Sequence, residues 1–127
     1  MLSQNLRELI INDDIHALRQ IAKGRSGIEQ CQHLIHLSLM VSEYKYQDIV
    51  EEIVDSPLIS KLPNLRTLKL GVILIGFHIR FQSVLENNPL LTLIFNYLHL
   101  SELNQVMGWC YWKHRIRIEK ISAFFYD

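Results

Sequence analysis

The chain of 127 residues has few of the features that mark secreted or nucleic-acid-binding proteins. It contains only two cysteines, Cys31 and Cys110, far apart and without metal-ligand spacing. We expect both to be reduced, buried thiols in a cytosolic protein. Its thirteen basic and thirteen acidic side chains cancel, whereas binding to phosphate backbones requires a basic excess. The balance predicts no nucleic-acid partner.

Long apolar runs are also lacking. The most apolar stretch, residues 68–79, is interrupted by one lysine, two glycines and one histidine, and it is well short of the ~20 residues of a transmembrane helix. The first residues lack the basic region and apolar region of a signal peptide. We therefore expect a cytoplasmic protein without a membrane span.

Motifs that carry chemistry are scarce. The sequence has no glycine-rich phosphate loop, no HExxH and no GxSxG. His33 and His36 are three residues apart but lack an acidic partner that would complete a metal site. Cys110 and His114 are one helical turn apart, without an Asp or Asn to orient the base. We predict no catalytic residue, metal or cofactor, hence a non-enzymatic binding protein, with a Cys/His hydrolase as a distant alternative.

Apolar residues recur mostly at helical spacing, and they make up 49% of the chain against 20% charged residues. The pattern predicts one all-α domain over residues 1–127. Lys23–Gly27 is the clearest helix stop, and Pro57 and Pro63 bracket a linker that cannot continue a helix. The predicted helices cover about 3–11, 15–22, 28–42, 46–55, 64–86 in two pieces, 90–98 and 101–124. A short strand within 68–79 is the alternative there, because β-branched residues and glycines weaken a helix.

Only three residues separate the helices 28–42 and 46–55, so they are expected to pack antiparallel as a hairpin. The hairpins follow each other at ~35–40 residues, which is the range of tetratricopeptide solenoids. The predicted fold is therefore a tetratricopeptide-like stack of helical hairpins. Residues 26–88 form its hairpin core and residues 89–127 a C-terminal helical extension.

One stretch resembles the tetratricopeptide-like co-chaperones of bacterial type III secretion needle subunits. It runs from Leu34-Ile35-His36-Leu37-Ser38 to Tyr46-Gln47-Asp48-Ile49-Val50, with Pro57 and Pro63 following. The resemblance implies a cytoplasmic bacterial protein that forms a hetero-oligomer with a small helical partner chaperone and the needle subunit. It would shield the amphipathic C-terminal helix of that subunit from premature polymerisation.

A helix held in an apolar groove inserts anchors at positions i, i+3, i+4 and i+7. We expect this groove between the helix 28–42 and the helix beginning at 64. The residues predicted to line it are Leu34, Ser38, Val41, Leu68, Val72 and Ile75.

A second resemblance gives the alternative function. The apolar pattern of residues 90–112 is similar to an F-box, the three-helix module that docks on the adaptor of cullin ubiquitin ligases. Its residues here include Leu91, Phe95, Leu103 and Trp112. This resemblance implies an adaptor that recruits a cullin ubiquitin ligase.

Overall fold

A computed structural model of the chain describes residues 5–71, 78–96, 98–99 and 115–122. Its strands are β1 (Glu8–Asn12), β2 (His36–Met40), β3 (Thr67–Leu70), β4 (Thr92–Phe95), β5 (Leu98–His99), β6 (Ile116–Ile118) and β7 (Ile121–Ser122). Its helices are α1 (Ile15–Ala22), α2 (Gln47–Asp55) and α3 (His78–Asn87), with 3₁₀ turns at Ile28–Gln30, Tyr44–Tyr46 and Ile59–Lys61. The fold is therefore α/β.

Five of the strands form one parallel sheet in the order β1-β2-β3-β4-β6, while β5 and β7 pair separately. Strands that follow each other in this order are parallel, so the chain must cross back to the same end after each one. Such crossovers are almost always right-handed, and a sheet that always grows in one direction then places them on one face. The residues of α1, α2 and α3 that are described as buried belong to one core cluster with the strands, as this rule requires.

The strand residues that face the helices are paired along the whole sheet. The first row consists of Leu9, Leu37, Leu68, Leu93 and Ile116. The second row consists of Ile11, Leu39, Leu70, Phe95 and Ile118. All ten belong to the core or pack against it, because side chains two residues apart in a strand point to the same face.

The spacing L-x-x-L-x-L explains why these segments form strands. Leu34 lies in the turn before β2, and Leu37 and Leu39 are two residues apart within it; all three are fully buried. Leu65, Leu68 and Leu70 repeat this arrangement at β3. The five strands of the large sheet start every ~24–31 residues along the chain, and a helix follows each of β1, β2 and β3 before the next strand. This arrangement resembles that of leucine-rich repeats.

Local interactions explain where α1 begins and ends and which face of α2 is buried. Asp14 caps α1, since its side chain accepts a hydrogen bond from the N–H of Ala17 at 3.1 Å. Lys23 ends this helix, and Gly24 follows with a positive φ of 70°. In α2 the buried residues Val50, Ile53 and Val54 lie at i, i+3 and i+4, which is one face of a helix. The helices predicted at 15–22 and 46–55 are thus confirmed.

The predicted all-α, tetratricopeptide-like stack is wrong. The segment 28–42 contains β2 and no α-helix, so it forms no hairpin with α2. The error has a physical cause: Leu34 and Leu37 are three residues apart and match the helical period, although Leu34 lies in a turn. Five backbone pairings to β1 and four to β3 fix this segment as a central strand.

Other helix predictions are wrong for the same reason. The first predicted helix contains β1, the predicted helix from 64 contains β3, and the predicted helix 90–98 contains β4. The predicted helix 101–124 contains β6 and β7, while its residues 101–114 lie outside the described residues. The segment 90–112, which resembles the three-helix F-box, therefore begins with the strand β4 and not with a helix. The break between Pro57 and Pro63 is confirmed, since α2 ends at Asp55 and only a 3₁₀ turn follows.

Candidate functional site

The face of the large sheet opposite the helices is the candidate site, and we call it the open face. Its central row consists of Ile10, Ser38, Lys69, Ile94 and Arg117, which are successive register partners. These residues alternate with the core leucines of their strands, so their side chains point away from the helices. Glu8, His36, Thr67 and Thr92 form the neighbouring row at the amino ends of the strands.

Exposure along the central row is uneven. Ser38 is 2% exposed and Ile94 is 8% exposed, so the centre of the row is buried although Ile94 does not belong to the core cluster. Ile10, at the β1 edge, is 51% exposed, and Arg117, at the β6 edge, is also exposed. The two ends of the row are therefore the parts that a partner can reach first.

The charges of the open face are ordered. Lys69 Nζ lies 2.8 Å from Glu119 Oε1, so one cation of the central row is paired with an acid that directly follows β6, two strands away. Arg117, the other cation of this row, is in no ion pair among the residues that the structure describes. The central row thus combines two isoleucines with two cations and contains no acid.

A polar link connects two strands on the same face. His36 Nδ1 and Thr67 Oγ1 share a hydrogen bond between β2 and β3. Their Cα positions are register partners, so the link holds two side chains of the amino-terminal row in place. This leaves the row polar and ordered.

Four of the six residues that the sequence predicts as a groove lie in the part of the chain that the structure describes. Leu34 and Leu68 are fully buried and Val41 is 4% exposed, and all three belong to the core cluster. Ser38 alone lies on the open face. Val72 and Ile75 lie outside the described residues. The four described residues therefore do not share one surface.

The cysteine and histidine candidates are placed as follows. Cys31 is 1% exposed, and burial raises the pKa of its thiol, whose Sγ donates to the carbonyl oxygen of Gly27 at 3.9 Å. His33 is exposed, whereas His36 lies in β2 on the open face. Cys110 and His114 lie outside the described residues. Within residues 5–71, 78–96, 98–99 and 115–122, no three His, Cys, Asp or Glu side chains are close enough to hold a metal ion.

Sequence reasoning missed Ile10, Lys69, Ile94 and Arg117. Each of them lies between two residues that belong to the core or pack against it, and this alternation could have identified them. The four triplets are Leu9-Ile10-Ile11, Leu68-Lys69-Leu70, Leu93-Ile94-Phe95 and Ile116-Arg117-Ile118. An alternation of this kind predicts a strand with one buried face, but it is only three residues long at each site.

None of the described helices has the length and apolar character needed to cross a bilayer. No protein-family model, no curated protein and no solved structure matches the chain.

Proposed function

We propose that this chain is a non-enzymatic protein-binding repeat module and that the open face is its interaction surface. The observation that carries the proposal is the sheet order β1-β2-β3-β4-β6, with the buried residues of the described helices in the core cluster on one side of the sheet. Parallel sheets usually have both faces covered by helices. Stacked repeats are the exception, and they use their extended sheet surface for binding.

The dimensions of the open face favour a short segment of a partner. Five strands about 4.8 Å apart and three to five residues long span an area of roughly 300 Å², within which Ser38 and Ile94 are buried. A standard protein interface covers about 800 Å² on each partner. One helix is ~10–12 Å wide, so a single helix or extended segment fits this area better than a whole domain surface does.

The central row defines the chemistry of that segment. Ile10 offers an exposed apolar contact at one edge, and Arg117 offers a cation at the other. Lys69 adds a second cation, which Glu119 already neutralises in part. The complementary partner segment is amphipathic, with an apolar side chain over Ile10 and an acidic side chain facing Arg117.

The needle-subunit chaperone and the ligase adaptor remain untested predictions. Both also involve protein partners, but each was inferred from a helical architecture that the structure does not have. Their groove and module residues therefore do not define the site proposed here.

A crosslinking experiment tests the proposal. A photoreactive amino acid is placed at Ile10 or at Arg117, and the matched control position is Leu90, which is 66% exposed and lies in the turn before β4. In cells of the source organism we expect one and the same protein crosslinked at both face positions and not at Leu90. Equal crosslinking at Leu90, or different proteins at the two face positions, would contradict the proposal.

The crosslinked protein then gives a quantitative test. We expect Ile10→Asp to weaken its binding at least tenfold, which is about 1.4 kcal/mol, because a buried charge would replace an apolar contact. Leu90→Asp should change the affinity less than twofold. If both variants bind like the unmodified protein, the open face is not the interaction surface.

A further inference from the structure

A second feature lies at the amino ends of β1, β2 and β3, outside the central row. A surface cavity of about 290 Å³ is lined by Arg7, His33, Ile35, Asn64 and Arg66. It lies below the usual ~300–1,000 Å³ range of drug-sized ligand sites, so it suits one small group. Two guanidinium groups, an imidazole and an amide supply nitrogen donors, and the lining contains no carboxylate.

The backbone fixes the two arginines on either side of Ile35. The carbonyl oxygen of Arg7 accepts hydrogen bonds from the N–H groups of Ile35 at 2.8 Å and His36 at 3.1 Å. The carbonyl oxygen of Ile35 accepts in the same way from Arg66 at 2.8 Å and Thr67 at 3.1 Å. The Cα atoms of Arg7 and Arg66 are therefore about two strand spacings, roughly 9.5 Å, apart, which allows both long side chains to reach one group between them.

The loops that form the cavity walls are tied together. The Nδ2 group of Asn64 donates to the carbonyl oxygen of Gln32 at 2.6 Å. This bond joins the segment before β2 to the segment before β3, next to His33 and Arg66. The backbone segments that carry His33 and Arg66 are thus held together before any ligand binds, which lowers part of the entropic cost of binding.

The guanidinium groups keep most of their hydrogen-bonding capacity. Only Nη1 of Arg66 has contacts within the described chain, to the carbonyl oxygens of Leu65 at 3.4 Å and Pro63 at 3.5 Å. Neither Arg7 nor Arg66 forms an ion pair with a described carboxylate. Two unneutralised guanidinium groups facing one small cavity are suited to an anion that can accept several N–H donors.

We infer that this cavity binds a phosphate group of a small molecule. A phosphate group carries up to two negative charges and three acceptor oxygens, which match two arginines better than the single charge of a carboxylate does. The exposed edge of Ile35, 39% accessible, provides the apolar surface beside the anion. This site is independent of the proposed partner-binding function.

Isothermal titration with inorganic phosphate and with phenyl phosphate tests the site at low ionic strength. We expect both to bind, whereas acetate and sodium chloride at equal ionic strength should not. Binding by phenyl phosphate alone would also support the site, as one for phosphate esters. If acetate binds as well as phosphate, or if neither phosphate compound binds, the inference is overturned.

Three variants localise the binding. Arg7→Gln and Arg66→Gln should each weaken phosphate binding at least tenfold, and Arg66→Lys should weaken it more than twofold because lysine lacks the planar fork. Arg25→Gln is the matched control, since Arg25 is an exposed arginine in the loop after α1. Because all these side chains are exposed, the variants should fold. Equal losses in Arg25→Gln and Arg7→Gln would show general charge attraction and overturn the assignment.

Discussion

Asp13 accepts two hydrogen bonds from Ser42, one from its hydroxyl group at 2.7 Å and one from its backbone N–H at 2.6 Å. The N–H of Asp13 donates in turn to the carbonyl oxygen of Met40 at 2.8 Å. Asp13 has a positive φ of 58°, a conformation that Asp and Asn tolerate better than most residues. This exposed residue therefore fixes the carboxyl end of β1 against that of β2.

These contacts predict a pH-dependent effect of Asp13→Asn. The hydrogen bond from the Ser42 hydroxyl, and then that from its backbone N–H, lower the pKa of Asp13 below its ordinary value of 3.8. A lowered folded-state pKa stabilises the protein above the unfolded pKa, and this contribution is lost as the pH falls through the folded pKa. We expect Asp13→Asn to lower the free energy of unfolding near neutral pH, with the difference shrinking below about pH 4.

Urea unfolding at a series of pH values measures this difference. Glu52→Gln in α2 is the control, because Glu52 is exposed and has no described side-chain partner. A deficit of Asp13→Asn that stays constant from neutral to acid pH would show that the ionised carboxylate is not the cause. Ser42→Ala should cost about 0.5–1 kcal/mol, at the low end for one hydrogen bond because the pair is exposed.

We predict a larger loss of stability from a substitution of Arg115. Its guanidinium group donates to the carbonyl oxygens of Leu85 at 2.8 Å, Leu91 at 3.1 Å and Asn88. These carbonyls lie at the end of α3 and in the turn before β4, where those of Leu85 and Asn88 also accept the backbone N–H groups of Asn88 and Leu91, respectively. Arg115→Met should lower the free energy of unfolding by roughly 2–4 kcal/mol, since charged hydrogen bonds to three carbonyl oxygens are lost.

Arg115→Lys should recover only part of this loss, because a single ammonium group cannot reach three carbonyls with the geometry of a planar fork. Arg117→Met provides the control two residues further along the chain, with an exposed side chain on the open face. Chemical denaturation compares the three variants. If Arg115→Met and Arg117→Met have the same midpoint, the contacts of Arg115 do not stabilise the fold.

Some of this structure could be predicted from the sequence. α1 and α2 have a polar outer face and apolar residues at i, i+3 and i+4, and Pro57 stops α2 as local chemistry requires. The strands could not be recognised in the same way. β2 contains no β-branched residue and β3 only Thr67, and the spacing from Leu34 to Leu37 or from Leu65 to Leu68 fits a helix as well.

The candidate site was harder to predict, because its residues become neighbours only through parallel pairing. Ile10 and Arg117 lie on the first and last strands of the large sheet, and neither has an unusual local pattern. The cavity between Arg7 and Arg66 has the same origin. Such sites depend on the register of the strands, and the register depends on long-range packing.

Gly71, at the carboxyl end of β3, has no room for a side chain. A Cβ atom at this position would lie 2.7 Å from both Cε and Cγ of Met40 and 2.9 Å from its Cβ. The side-chain end of Met40 can move, but its Cβ is fixed by the β2 backbone. We expect Gly71→Ala to lower the free energy of unfolding by about 1–3 kcal/mol, as overpacking usually does.

A double-mutant cycle identifies the cause of that loss. Met40→Ala removes two of the three close atoms, so the double variant should be more stable than the two single effects add up to. Thermal or urea unfolding gives the coupling energy. Strict additivity would contradict the contact, and the loss at Gly71 would then come from the backbone alone.

Substitutions at Leu68 and Ile10 distinguish a core residue from a residue of the open face. Leu68 is fully buried on the helix side of β3, whereas Ile10 is 51% exposed on the opposite side of the sheet. Leu68→Ala should cost roughly 2–5 kcal/mol because it leaves a cavity in a packed core. Ile10→Ala should change the free energy of unfolding by less than about 0.5 kcal/mol, as exposed substitutions usually do. The groove that the sequence predicted would give the opposite result at Leu68, since a residue lining an open groove can be truncated with little loss of stability. Urea unfolding of the two variants therefore decides between a core leucine and a groove leucine at this position.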